Sequence, residues 1–329
     1  MNAARFREAY AAEWQRLETI VTRLEKRSAR SLDDDDLLAL PSLYRSALTS
    51  LSVARATSLD RGLATYLEQL CTRAYFQLYG VQTSAWRQLG TFLRRGWPQA
   101  TRALWRETLF CLMLMAAGAV AGFFLVRADP AWYYALIPDG MASGRNPTAS
   151  VEALRSSIYG AKQEMLATFA VSLFTHNSQV AIFAFALGFA FAIPTLMLVT
   201  YNGLMLGAMV AVFADKGLAV GFAGWLTIHG TTELLAVAIA SAAGVRIGSA
   251  VAFPGREARA DAAVTAGREA AVAMGGAVCM LMVAGVLEGI GRQTVQSDGL
   301  RFAIGVAALA GWIAYLYLPH WSGPRDALD

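Results

Sequence analysis

Charge is what this sequence has least of. Only 16% of its 329 residues are Asp, Glu, Lys or Arg, against 56% hydrophobic. Soluble domains run near a quarter charged, so composition alone favours a membrane class. Cysteine is scarce as well. Cys71, Cys111 and Cys279 are odd in number and far apart, and two of them lie in apolar spans. That pattern excludes a disulfide framework and a Cys-based metal motif. The first 30 residues contain no apolar run of the signal-peptide kind, so the first span is expected to serve as its own insertion signal. Gly-x-Ser-x-Gly, His-Glu-x-x-His, paired intramembrane aspartates and a P-loop are all missing. The expectation is a protein that is not an enzyme, with no catalytic residue, no metal and no cofactor.

The charges that are present sit unevenly. Residues 1–107 hold 16 Lys/Arg and 11 Asp/Glu, and the remaining two-thirds hold 12 and 13. This predicts a cytoplasmic helical domain over 1–107 and a transmembrane helical domain over 108–329. Arg87, Arg94, Arg95, Arg102 and Arg106 meet no acid before Glu107. Basic residues this close to a span set its orientation and attract anionic headgroups, so they read as a cytoplasmic membrane flank and not as a nucleic-acid surface.

Phe6, Tyr10, Trp14, Leu17, Val21 and Leu24 recur at helical spacing and predict a helix over 2–29. The run Ser31-Leu32-Asp33-Asp34-Asp35-Asp36 reads as a loop and a helix N-terminus, where acids complement the macrodipole. It lacks the alternating ligands and glycine of a calcium loop. Helices over 37–59 and 63–95 complete a small antiparallel bundle.

In the apolar body, Leu109–Val126 predicts a first span. Val180–Tyr201 predicts a second, kinked at Pro194. Gly203–Ala214 is too short for a perpendicular crossing and suggests a re-entrant helix. Ala219–Val245, Ala270–Leu287 and Phe302–Leu318 follow. The fold class expected is thus all-α, a polytopic membrane bundle of about six hydrophobic segments with one short or re-entrant. The basic loop 246–268 prefers the cytoplasm, which with a cytoplasmic N-terminus requires six crossings. Residues 127–179 become an extracytoplasmic connector with Trp132, Tyr133 and Tyr134 as an aromatic belt. An amphipathic helix over 150–174 would partly bury Val151, Leu154, Ile158 and Leu166, and could dock something outside.

Polar residues at membrane depth are expensive and face a protein interior or a cavity. The cluster expected here is His176, Asn177, Asn202, His229, Glu233 and Glu288. His229 and Glu233 are four apart and share a helix face. Such a pair can share a proton or help bind a cation, or it can simply tie helices together; two ligands do not make a zinc site. Asn202-Gly203 and His229-Gly230 read as helix breaks. Gly203 with Gly207, and Gly244 with Gly248, suggest tight helix packing within one protomer or across a dimer. Gly118-x-x-x-Gly122, Gly217-x-x-x-Gly221 and Gly285-x-x-x-Gly289 repeat the spacing. Interrupted segments of this kind also occur at transporter binding sites.

The order Phe174-x-His176-Asn177, Asn202-Gly203-x-x-x-Gly207-Ala208, His229-Gly230-x-x-Glu233-Leu234 and Ala242-Ala243-Gly244-x-x-x-Gly248 resembles the stage II sporulation protein M family. With Phe6-x-x-x-Tyr10-x-x-x-Trp14 the chain resembles that family's longer, non-sporulation branch over nearly its whole length. The resemblance implies a multi-pass protein of the bacterial cytoplasmic membrane. In spore formers the family member acts as a scaffold for peptidoglycan-degrading enzymes. Arg outnumbers Lys 25 to 3, which suggests a GC-rich genome.

Two functions are therefore expected, the first as the leading reading and the second as its alternative. One is a non-enzymatic scaffold that gathers envelope enzymes or cytoplasmic partners. The other is an ion or small-solute transporter that uses the Asn/His/Glu seam. The partners expected are the lipid bilayer and a second copy of the chain, a dimer being favoured, with no nucleic acid.

Overall fold

The computed structural model describes residues 3–26, 32–56, 61–79, 85–160 and 163–318. They are helical almost throughout, and no strand occurs among them. The protein is an all-α polytopic bundle with a helical N-terminal region. Contacts divide it into two compact units, Met1–Gln88 and Leu89–Asp329.

The first unit is built from α1 (Ala3–Lys26), α2 (Asp34–Ala56) and α3 (Arg61–Leu78). Each helix presents an apolar stripe to the same core, where Leu17, Leu67 and Ala47 are fully enclosed. Inside it the Trp14 indole donates to Ser50 Oγ at 3.3 Å. The four-aspartate run caps a helix: Asp33 Oδ1 accepts the Asp36 backbone N–H at 2.9 Å, a typical N-cap bond. Asp36 also pairs with Arg16 and Arg23 of α1, at 3.0 and 3.6 Å. Burial pushes the Cys71 thiol up to about 11. The helix expected over 63–95 ends at Leu78 and resumes as α4 (Ala85–Thr91); residues 80–84 lie outside the described ones, as does Ser31.

The second unit starts within α4 and not at the expected 107/108 boundary. A π-turn (Phe92–Gly96) and α5 (Trp97–Ala103) belong to the bundle because Trp97 is locked into it. Trp97 is 3% exposed, its ring lies 5.7 Å from Trp312 and 5.2 Å from Tyr315, and the Tyr315 hydroxyl donates to the Leu93 carbonyl.

The long helices are α6 (Trp105–Ala128), α10 (Gln163–Ala186), α11 (Ile193–Asp215), α12 (Ala219–Ala252), α13 (Arg259–Thr294) and α14 (Asp298–Tyr317). Between α6 and α10 lie the short α7 (Ala131–Leu136), α8 (Asp139–Ala142) and α9 (Val151–Tyr159). Among the described residues, five helices are long and apolar enough to cross a membrane: α6, α11, α12, α13 up to Gly289, and α14.

Side-chain ties define two ends of the bundle. At one end Arg246 meets Glu107 at 2.7 Å, Arg259 lies over Phe191 and Arg102 donates to the Leu318 carbonyl at 3.1 Å. At the other, Arg127 meets Asp215 at 3.2 Å and Tyr159 donates to Asp298 at 2.7 Å. The α10 helix follows α12 in parallel, with Asn177 beside Glu233 and Gly188 against Gly244. Its 24 residues are roughly 36 Å long at the α-helical rise, so α10 is a sixth helix running between the ends. Consequently α6 begins and α14 finishes at the same end.

That topology corrects the expected segments. Val180–Tyr201 is not a span. It contains the hairpin between α10 and α11, made by a 3₁₀ turn (Leu187–Phe189) and left-handed Phe191 and Ala192, at φ 58° and 61°. Pro194 kinks nothing; it sits in the first turn of α11, where its missing N–H costs no hydrogen bond. Gly203–Ala214 is not re-entrant but the second half of α11. Asn202-Gly203 and His229-Gly230 are mid-helix and break nothing. The connector is correspondingly shorter than 127–179, since α10 begins at Gln163. The amphipathic helix expected over 150–174 ends at Tyr159 and Gly160. Leu154 and Ile158 are buried, Val151 is 45% exposed, and the Leu166 side chain lies outside the described residues. Tyr133 turns inward at 1% exposure while Trp132 and Tyr134 stay outside.

The glycines act as contact points between backbones. A Cβ on Gly203 or Gly207 would overlap the carbonyl oxygens of Met115 or Ala119. One on Gly118 or Gly122 would overlap those of Thr200 or Leu204. So α6 and α11 run parallel in near-backbone contact, and Gly244 and Gly248 receive Ala184 and Gly188 in the same manner. These three motifs pack helices within one chain.

Two predictions arise here. Gly207→Val forces α6 off α11 and should lower stability by about 1–3 kcal/mol or more, whereas Gly267→Ala, with open space around it, should be neutral or stabilising by up to about 1 kcal/mol; thermal unfolding of the solubilised protein separates them. Cys71 should remain unreactive toward a thiol reagent at pH 8 until the N-terminal unit unfolds, because its thiolate forms only near pH 11.

Candidate functional site

Helix α12 builds the site along one face. Trp225, His229 and Glu233 follow at i, i+4 and i+8, which stacks them one above another. All three are buried, at 6%, 1% and 4% exposure. Trp225 meets the edge of His229 at 5.2 Å between centroids. Above it, Phe222 stacks on Phe213 at 4.3 Å, continuing an aromatic column toward the α7–α9 end.

The α10–α11 hairpin supplies the facing wall. Its left-handed turn sends the chain back beside itself, so that Asn177 of α10 and Asn202 of α11 both arrive opposite α12. Thr195 Oγ1 secures the turn by donating to the Ala184 carbonyl at 2.6 Å. Asn177 Nδ2 then donates to Glu233 Oε2 at 2.7 Å. The second carboxylate oxygen, Oε1, is buried without a hydrogen-bond partner, and so is His176 Nε2. Buried polar atoms are nearly always paired, and an unpaired one in a native site asks for a functional reason.

What these groups surround is a cavity of about 120 Å³, room for several water-sized occupants. His176, Asn177, Asn202, His229, Gly230 and Glu233 all line it, together with Met205, Leu206, Met209, Phe222, Leu226 and Leu234. Ile137, Met141 and Arg145 close it toward the α7–α9 end. Arg145 is held there from both sides: its carbonyl accepts from the Tyr133 hydroxyl, and its guanidinium lies 5.5 Å over Trp225. Tyr201 donates to the Leu136 carbonyl at 2.8 Å, tying the cap to α11. The arrangement is an apolar well with polar groups gathered at its base and one cation at its mouth.

The family model of stage II sporulation protein M matches residues 111–291, more than half of the chain. The chain belongs to this family. The matched region runs from α6 into α13 and so contains every α10, α11 and α12 residue of the cavity. A second family model, a domain of unknown function (DUF8413), matches residues 4–80, the three helices of the N-terminal unit. No curated protein and no solved structure matches the chain.

The expected polar cluster therefore divides. Five of its six residues line one cavity in this family member. Glu288 does not; it is fully buried on α13, outside the lining. Gly203, Gly207, Gly244 and Gly248 serve helix packing, and of the expected glycines Gly230 alone faces the well. Among the described residues no three His, Cys, Asp or Glu side chains gather as a metal ion would require.

Sequence reasoning missed Arg145 and Trp225. Arg145 sits in a turn-rich stretch with no periodicity. Trp225 does have a signal, its spacing of four from His229. Arg301 was missed as well: it is fully buried, donating to the Val295 and Ile158 carbonyls at 3.0 and 3.2 Å, and lies under Tyr159. Its role is to pin α9 to the start of α14.

Asn177→Leu should destabilise the solubilised protein by about 1–3 kcal/mol, because it strips a buried acid of its amide partner. Glu233→Gln, which keeps an acceptor for Asn177, should cost less. Equal midpoints for Asn177→Leu and wild type would show that this bond contributes nothing.

Proposed function

We propose that this protein binds a small solute in the α10–α11–α12 cavity and carries it through the membrane, as a non-enzymatic transporter or channel. One observation supports the reading: Asn177, Asn202, His229 and Glu233, from three different helices, line a common cavity. Polar groups retained only to tie helices together would be paired, yet Glu233, which lines the cavity, keeps Oε1 without a hydrogen-bond partner. Pockets of this composition, apolar with a few convergent polar groups, are what small-molecule sites look like.

Orientation follows from charge. Arg102, Arg106, Arg246, Arg256 and Arg259 collect at or beside one end of the bundle, and basic residues next to spans favour the cytoplasm. The α7–α9 end, toward which the cavity reaches, then faces outward.

A second reading, a scaffold for envelope enzymes or cytoplasmic partners, draws on the N-terminal unit. That unit has its own core and leaves Tyr75, Phe76 and Tyr79 exposed together at the end of α3. The first reading is favoured because a scaffold has no use for a buried acid in a cavity.

The deciding experiment is cysteine accessibility in native membranes. Asn202→Cys should react with a membrane-impermeant thiol reagent added on the side of residues 129–160, and reaction should slow when Met209→Trp fills the well. Cys111 is buried and supplies little background. No reaction of Asn202→Cys from either side in folded protein would mean a dry interior and would remove the transport reading.

A further inference from the structure

Resting on that reading of the cavity, we propose that its ligand is an organic monocation, a primary ammonium with a short apolar body, whose charged head pairs with Glu233.

The charge of the ligand follows from the base of the well. Glu233 is 4% exposed, and taking a carboxylate out of water is costly unless both oxygens are satisfied. Asn177 satisfies Oε2 at 2.7 Å, whereas Oε1 is left without a hydrogen-bond partner on a residue that lines the cavity. An anion is repelled there, and a neutral alcohol supplies one weak donor. An ammonium supplies a full countercharge and three N–H donors. The base offers Glu233 Oε1, His176 Nε2, also without a partner, and the Asn202 amide as acceptors for them.

The chemical class follows from the walls. An alkali or alkaline-earth ion stripped of water takes around six or more oxygen ligands. This cavity is lined instead by Met205, Leu206, Met209, Phe222 and Leu226. Thioether and aromatic surfaces suit an apolar body beside a cation. Length is bounded as well. Arg145 closes the well over Trp225, eight residues along α12 from Glu233, or roughly 12 Å at the helical rise. A ligand with its positive head at the base must therefore carry no second positive charge where it meets Arg145, and be shorter than that span.

The test uses the full chain in lipid nanodiscs, titrated calorimetrically with n-hexylammonium, 1-hexanol, hexanoate and sodium chloride. The expected result is saturable binding of n-hexylammonium, about tenfold or more tighter than 1-hexanol, with none for hexanoate or sodium. Glu233→Gln should weaken it about tenfold or more. Met209→Trp, which leaves Glu233 in place but fills the well, should abolish it. Thermal unfolding checks that each variant folds, and if Glu233→Gln does not, the comparison of n-hexylammonium with 1-hexanol in the wild type decides.

Equal binding of n-hexylammonium and 1-hexanol, or an undiminished Glu233→Gln, overturns the cation assignment; loss of that binding in Met209→Trp would still leave a solute site standing. Saturable binding of hexanoate or of sodium alone likewise overturns the ligand class and keeps the site. Absence of saturable binding by any probe overturns the assignment, and the cysteine experiment then reports separately whether the cavity is wet.

Discussion

The architecture depends on one helix that is buried on every side. From Leu235 to Gly244 each residue of α12 is enclosed, and the helix packs against α6, α10, α11, α13 and α14. A helix apolar all round belongs inside a bundle. Here half of the run is alanine, so five neighbours can crowd in at short range. In lipid there is little hydrophobic drive between helices, and close packing has to supply the cohesion. Small side chains let α12 collect many neighbours, and larger ones at its other half leave room for a cavity. The packed half and the hollow half of the bundle are two stretches of the same helix.

The hollow half is shaped by a reversal in an unexpected place. Phe191 and Ala192 hold left-handed backbone that L-residues adopt at a cost of about 1 kcal/mol each. Neither is glycine, and the surroundings compensate: Gly188 and Ala192 sit against Gly244 and Gly248, so the turn is wedged onto α12. Because α10 and α11 are then antiparallel neighbours, Asn177 and Asn202 come to the same height as Glu233. The polar chemistry thus depends on a turn that contributes no polar group itself.

Much of this protein was readable in one dimension. Charge scarcity and apolar runs marked the membrane class, helical spacing read over residues 2–29 marked α1, and the run ending in four aspartates marked a helix N-terminus. The polar residues worth watching were also visible, because amides and acids in hydrocarbon demand a reason. What misled was the glycine beside each of them. Asn202-Gly203 imitates a helix break, since both residues accept breaks easily. In the fold Gly203 is glycine because the Met115 carbonyl leaves no space for a Cβ, and the helix runs straight through. The true break lies among Leu187–Ala192, where only Pro194 just downstream gave a local sign.

By itself the sequence determined that the chain is a helical membrane protein and which polar side chains are costly enough to need partners, because transfer free energies belong to residues and not to folds. The tertiary structure alone decided which of those residues meet. Glu288 stands apart, whereas Asn177, Asn202, His229 and Glu233 close around one cavity. That outcome turns on where the chain reverses and how near two backbones can come, both long-range properties of packing that no local pattern encodes.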